Sequence, residues 1–207
     1  MTNAAGVLER NLREAEICLE NFDATNQDFA LRHVWITCVS AFDLYMTEMV
    51  SEVGIRLIDR DPPTLTNNLR QVSVRLESMF GIEEQTPAER LLFFRDSIYS
   101  TIQYKSFYRP DGVSEALSYV WTCPAKEKWA RVLSGMQETG RYLSRTEQDI
   151  RAELTLIGDR RDLIAHSMDT PPGAQRPNPV SREDAASVIE FFRDIVNAID
   201  AETERQL

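Results

Sequence analysis

Apolar residues recur along this chain with helical spacing nearly throughout, and extended runs of alternating apolar and polar residues are missing. The clearest case is the series Leu31, Trp35, Cys38, Phe42, Tyr45, Met49 and Val53, spaced by three or four residues at every step. Seven positions on one stripe predict a long helix over 27–59. Val34, Val39, Met46 and Val50 widen the stripe, so this helix is expected at the centre of a bundle. The pair Pro62-Pro63 after Asp61 is expected to stop it. Upstream, Val7, Leu8, Leu12, Ala15, Cys18 and Leu19 predict a first amphipathic helix over 3–21, followed by a turn rich in capping residues.

The middle of the chain is less regular. Helices are predicted over 66–80, ending at Gly81, and over 87–100, with Pro87 in the first turn. Residues 105–112 read as a loop, and 113–121 and 126–136 as two short helices. Ser144-Arg-Thr-Glu147 has the S-x-x-E form of a capping box and opens a helix that runs to His166. A proline-rich loop over 170–180 follows. Ser181, with Asp184 three residues later, opens a last helix to about residue 204, whose apolar face is Val188, Phe191, Phe192, Ile195 and Ile199. These elements predict a single all-α domain over 1–207, a helical bundle with long central helices. Residues 64–130 read as an insertion or elaboration between the second and the penultimate core helices.

Composition narrows the function. With 23 basic against 33 acidic residues the formal net charge is -10. A protein that coats nucleic acid nonspecifically should be basic, so any such contact must be local. The acidity leaves room for a basic partner. Three widely spaced cysteines, Cys18, Cys38 and Cys123, read as free thiols of a reducing compartment. The first residues show no signal-peptide pattern, and no apolar run reaches membrane-spanning length, so the expected location is the cytoplasm. Glycine-rich phosphate loops, paired-cysteine metal motifs and an ordered Ser-His-Asp signature are lacking, so neither cofactor nor metal is expected.

One segment departs from bundle patterning. On the helix from 145 to 166, Ile150, Leu154, Ile157 and Ile164 share a stripe, and Arg161 falls in its gap. A guanidinium on an apolar stripe needs a partner or a route to water. Arg161 either snorkels to the edge of the stripe or lines a polar hole. His166, one of two histidines, lies about 140° round an ideal helix from Arg161 and roughly 7.5 Å along it. The two cannot converge on one atom within a straight helix. Asp162, four residues before His166, is placed to share its face and could hold its tautomer. The alternative for His166 is a dipole and cap contact at a helix C-terminus.

The string Arg161-Asp-Leu-Ile-Ala-His166, on the penultimate helix of an all-α bundle, resembles the Arg-x4-His motif of the HEPN superfamily. The stretch 32–45 is similar to the early long helix of its RiboL-PSP-HEPN-like branch, and the final helix after 180–184 fits the same pattern. The resemblance covers about 110 residues, over 27–60, 144–168 and 180–204, and leaves the middle unmatched. It implies a metal-independent endoribonuclease, usually a homodimer, of prokaryotic defence, toxin–antitoxin or abortive-infection systems. Arg161 and His166 would be the catalytic pair and Asp162 the polar residue after the arginine. Two departures stand out. Asp162 occupies a position where asparagine is common. Met168 stands two residues after the histidine, where toxins silenced by a nucleotidyltransferase antitoxin often carry tyrosine.

Cleavage of RNA without metal needs a base, an acid and positive charge on the phosphorane-like transition state. In a two-fold dimer His166 of each chain would flank one phosphate, with both Arg161 side chains on its oxygens. Arg160 would add charge to the same cleft, and Asp162 would temper that charge and orient the imidazole. The implied partners are RNA, a second copy of the chain and an antitoxin or other defence-system protein. Two rival readings are a non-catalytic HEPN-like adaptor that binds a protein or nucleotide, and a plain helical bundle in which Arg161 snorkels and His166 caps. Arg32, His33, Ser40 and Asp43 could border the cleft, though a solvated or hydrogen-bonded face is the simpler expectation. Tyr99, Tyr104, Phe107 and Tyr108, beside Lys105 and Arg109, form an aromatic-basic cluster that could stack bases or simply pack a loop. The proline-rich loop is expected as a wall of the cleft.

Overall fold

The computed structural model describes residues 2–60, 65–74 and 76–207. Among these residues it contains eight α-helices and no strand. They are α1 (Asn3–Thr25), α2 (Asp28–Arg60), α3 (Asn67–Arg70), α4 (Pro87–Ile102), α5 (Pro110–Val120), α6 (Ala125–Gln137), α7 (Glu147–Ser167) and α8 (Arg182–Gln206), with short 3₁₀ turns at Leu76–Met79 and Ile82–Glu84. The expected all-α bundle is therefore the architecture. The predicted stop at Asp61–Pro63 lies outside the described residues.

Helix α2 is the axis of the bundle and touches α1, α4, α5, α7 and α8. All seven positions of its predicted seam are buried, as are the four that widen it. Burying each large apolar side chain contributes about 1.5–3 kcal/mol, so this stripe alone explains why the chain wraps around α2. Phe42 of α2 meets Phe192 of α8 with ring centroids 5.0 Å apart. Helix α8 presents the expected face, Val188, Phe191, Phe192, Ile195 and Ile199, to the same core. At Gly135 of α6, an added Cβ would lie 2.8 Å from Cβ of Ala198, so a glycine is needed for α6 to lie this close to α8. The region 65–130 contributes to the packing: Leu69, Ile98, Ile102, Phe107, Leu117 and Trp129 all belong to the one core.

Several sequence expectations fail locally: the turn expected after residue 21 is the end of α1, and 110–112, expected as loop, begins α5. The helix predicted over 66–80 shrinks to Asn67–Arg70, followed by non-helical 72–74 and a 3₁₀ turn. Leu69 is buried there, but Leu76 and Phe80 are 76% and 79% exposed. A short helix with no neighbour to bury its apolar face has little to stabilise it. Helix α7 does not begin with the Ser144 capping box. Thr146 is its N-cap: the Thr146 hydroxyl accepts from Asp149 N, and the Asp149 carboxylate accepts from Thr146 N at 2.8 Å. The same two-way logic operates two residues later, in the form T-x-x-D.

Candidate functional site

Helix α7 carries the candidate residues because its predicted stripe is real. Ile150, Leu154, Ile157 and Ile164 are all buried, which fixes the rotation of the helix and turns Arg161 toward α2. Arg161 does not snorkel into open solvent. It lines a cleft of about 240 Å³ with Val39, Ser40, Asp43, Leu44 and Thr47 of α2 and with Tyr99, Gln103, Lys105 and Tyr108.

The guanidinium of Arg161 is held from two sides. Its Nη1 donates to Asp162 Oδ1 at 3.0 Å, and its Cζ sits 5.3 Å from the centroid of the Tyr108 ring. Arg109 lies over the same ring, also at 5.3 Å. The Tyr108 hydroxyl donates to Asp162 at 3.0 and 3.2 Å, and Arg109 Nη2 donates to Asp162 Oδ2 at 2.6 Å. Arg109 is itself tied to α7 through Thr155 O and the Asp159 carboxylate. This clamp closes on α7 at Gly158. A Cβ there would lie 3.1 Å from Cζ of Arg109 and 3.2 Å from the Tyr108 ring. An isolated glycine inside a helical pattern was the sequence signal for that close approach, and sequence reasoning passed over it.

Asp162 therefore does a different job from the one expected of it. Its oxygens are taken by Tyr108, Arg109 and Arg161, and it makes no hydrogen bond to His166. Burial pushes its carboxyl up, but the hydrogen bonds from Arg161, Arg109 and Tyr108 outweigh burial and hold it below the usual carboxylate range. The carboxylate orients the arginine, not the imidazole.

Asp43 supports the clamp from α2. Its carboxylate accepts from the backbone N–H of Phe107, which fixes the start of the segment that presents Tyr108 and Arg109. Burial raises the Asp43 carboxyl above its ordinary value, against the hydrogen bond from Phe107 and the charge of Arg161. Sequence reasoning gave Asp43 a solvated or hydrogen-bonded face. It is hydrogen-bonded and half-buried, and it lines the cleft.

Arg160 departs further from expectation. It does not line the Arg161 cleft. Its Nη2 donates to Asp169 Oδ2 at 2.9 Å and to Pro179 O at 2.7 Å, and its Cζ lies 4.9 Å above the Trp35 ring. Asp169 is fully buried and also accepts from Arg32 Nε at 3.1 Å and from Asn178 Nδ2 at 3.2 Å. Arg32 in turn donates to Asn178 O at 2.8 Å. This knot pins the proline-rich loop to the end of α7. The helix finishes there with two consecutive left-handed residues, Met168 (φ 54°) and Asp169 (φ 63°), a conformation that aspartate tolerates better than most residues.

His166 sits in the last turn of α7, exposed, with no hydrogen bond or ion pair among the described residues. It does not line the cleft that Arg161 lines. Since 147–167 is continuous helix, the angular separation expected from the wheel applies, and one chain brings Arg161 and His166 to one helix but not to one point. His33, the other histidine, is exposed on α2. The aromatic cluster divides: Phe107 is buried in the core and Tyr108 forms the clamp, while Tyr99 and Tyr104 remain 37% and 91% exposed. The three cysteines are free thiols. Among the described residues no cluster of His, Cys, Asp or Glu is grouped to hold a metal, and no helix is long and apolar enough to cross a membrane. Compared with protein-family profiles, curated proteins and solved structures, the chain matches none.

Proposed function

We propose that this protein is a metal-independent endoribonuclease whose active site is completed by a second copy of the chain. The observation that carries the proposal is the state of the two motif residues. Arg161 lines a cleft with its Nη2 left without a hydrogen bond among the described residues, while His166 stands exposed on the same helix with no partner among those residues. A guanidinium held by a carboxylate and an aromatic face, with a donor left over, suits a phosphate oxygen. An exposed, unpaired imidazole is free to accept or donate a proton.

The chemistry follows from those groups. His166 of one chain takes the proton from a ribose 2′-OH, and the 2′-oxygen attacks the adjacent phosphorus. His166 of the second chain gives a proton to the departing 5′-oxygen. The products are a 2′,3′-cyclic phosphate and a 5′-hydroxyl. Arg161 neutralises charge on the non-bridging oxygens as the phosphorane forms. Two chains supply the acid and the base that one histidine per chain cannot. By the HEPN resemblance, such an activity belongs to a prokaryotic defence, toxin–antitoxin or abortive-infection system, with an antitoxin or other regulatory protein as a further partner. A non-catalytic adaptor is the second reading, favoured by the net charge of -10, which opposes binding of a polyanion anywhere but at a local site.

The test is cleavage of a single-stranded RNA in EDTA. The wild-type protein should cleave it to cyclic-phosphate ends, and His166→Ala and Arg161→Ala should each lose about 10²–10⁴-fold in rate with unchanged helix content. Full activity in either variant, or cleavage only with added Mg²⁺, would sink the reading.

A further inference from the structure

We propose that the cleft beside Arg161 seats one unpaired base of an RNA strand, with the adjoining phosphate on Arg161. The proposal rests on the ribonuclease reading of Arg161 and adds what that reading leaves open: how the strand is gripped.

Three features of the cleft converge on this ligand. Its volume of about 240 Å³ takes a planar ring system and excludes a helix or a folded segment. Its lining supplies a stacking surface, hydrogen-bonding groups and a cation within one space. Tyr99 is the stacking surface. Of the four rings between residues 99 and 108, Phe107 is buried in the core and Tyr108 is covered by two guanidiniums. Tyr99 lines the cleft, is 37% exposed and stacks on no other ring. Gln103 follows one helical turn later and offers an amide donor and an amide acceptor, neither of them bonded among the described residues. Ser40 adds a hydroxyl from α2, and Val39 and Leu44 add apolar wall. Arg161 keeps its Nη2 unburied and without a hydrogen bond among the described residues, a donor that a phosphate oxygen would satisfy.

Single-stranded RNA is held by this combination of a ring to stack on, side chains that read a base edge and a cation on the backbone. A base-paired strand cannot swing a base into the cleft without first breaking the pair. The cleft thus selects single strands, and it lets an acidic protein bind RNA through one local contact.

The test uses a short 2′-O-methyl oligonucleotide carrying one 2-aminopurine, which has no free 2′-OH to attack and cannot be cleaved by the proposed route. Titrating wild-type protein into the single strand should quench the 2-aminopurine as it stacks, and the same sequence in a duplex should bind far more weakly. Tyr99→Ala should weaken binding about tenfold and abolish the quenching. Tyr99→Phe should restore both, and Gln103→Ala should weaken binding severalfold. The proposal is overturned if Tyr99→Ala binds and quenches like wild type, if the duplex binds as well as the single strand, or if the wild-type protein binds neither. The ribonuclease reading stands or falls separately, on cleavage of the unmodified strand by the wild-type protein.

Discussion

Arg160 and Arg161 are neighbours in sequence, yet they serve two different regions of the molecule. Arg160 bonds a fully buried carboxylate and a loop carbonyl and lies on Trp35. Its charge is used to tie the proline-rich loop, the end of α7 and the start of α2 into one knot. Arg161 is bonded once, to an Asp162 carboxylate that also serves Tyr108 and Arg109, and it lines a cleft. One step along a helix turns a side chain by about 100°, enough to move it from an internal ion-pair network to the wall of a cleft. Charge counting along a sequence treats the two arginines alike. The carboxylates that meet them decide what each can do.

The largest effect is expected at Asp169, the buried partner of Arg32 and Arg160. Asp169→Ala leaves Arg32 and Arg160 without their common buried partner and should destabilise the fold by about 3–5 kcal/mol, read as the midpoint shift in urea or thermal unfolding. Asp169→Asn, which tolerates the left-handed backbone, should lose less. A loss below about 1 kcal/mol in Asp169→Ala would mean that the knot does not hold the loop.

Acid probes the other region. The Asp162 carboxyl is held below its ordinary value of about 3.9. Its pairing therefore contributes full stability above that pH, and the contribution is lost as pH falls through the lower folded-state value. The stability gap between wild type and Asp162→Asn should be widest near neutrality and close below about pH 3.9. The group is partly exposed, so the gap should be small. A gap that widened with acid would contradict the clamp.

Gly158→Ala is the finest probe. Alanine favours the helix by about 0.8–1 kcal/mol over glycine, while its Cβ would crowd the Tyr108 ring and the Arg109 guanidinium. These effects oppose, so stability should change by no more than about 1 kcal/mol. RNA cleavage should nonetheless fall severalfold, because the clamp that orients Arg161 is displaced. Unchanged cleavage would mean that the clamp does not position the arginine.

Much of the fold was legible because the helices that matter most bury continuous stripes. The seam from Leu31 to Val53 and the stripe from Ile150 to Ile164 specify both a helix and its facing, and the structure keeps both. The stretch 66–80 was misread because helical spacing says nothing about whether a neighbour exists to cover the apolar side. Within the site, Arg161 was recognisable as out of place on its stripe. Its holders were not, since Tyr108 and Arg109 come from a segment some fifty residues away, and only the tertiary fold brings them to Gly158 and Asp162. The i, i+4 spacing that linked Asp162 to His166 was sound helical geometry, outcompeted by three stronger donors. Asp169 gave no warning either, because its role depends on a left-handed turn that spacing does not reveal.

The most direct test of the account sets the two arginines side by side: the rate of RNA cleavage in EDTA, normalised to folded protein, for Arg160→Ala and Arg161→Ala. Arg160→Ala should lower stability by about 1.5–3 kcal/mol and leave the normalised rate within a few-fold of wild type. Arg161→Ala should leave stability within about 1 kcal/mol and reduce the rate by about 10²-fold or more. Equal losses of rate in the two variants, or a fully active Arg161→Ala protein, would contradict the account.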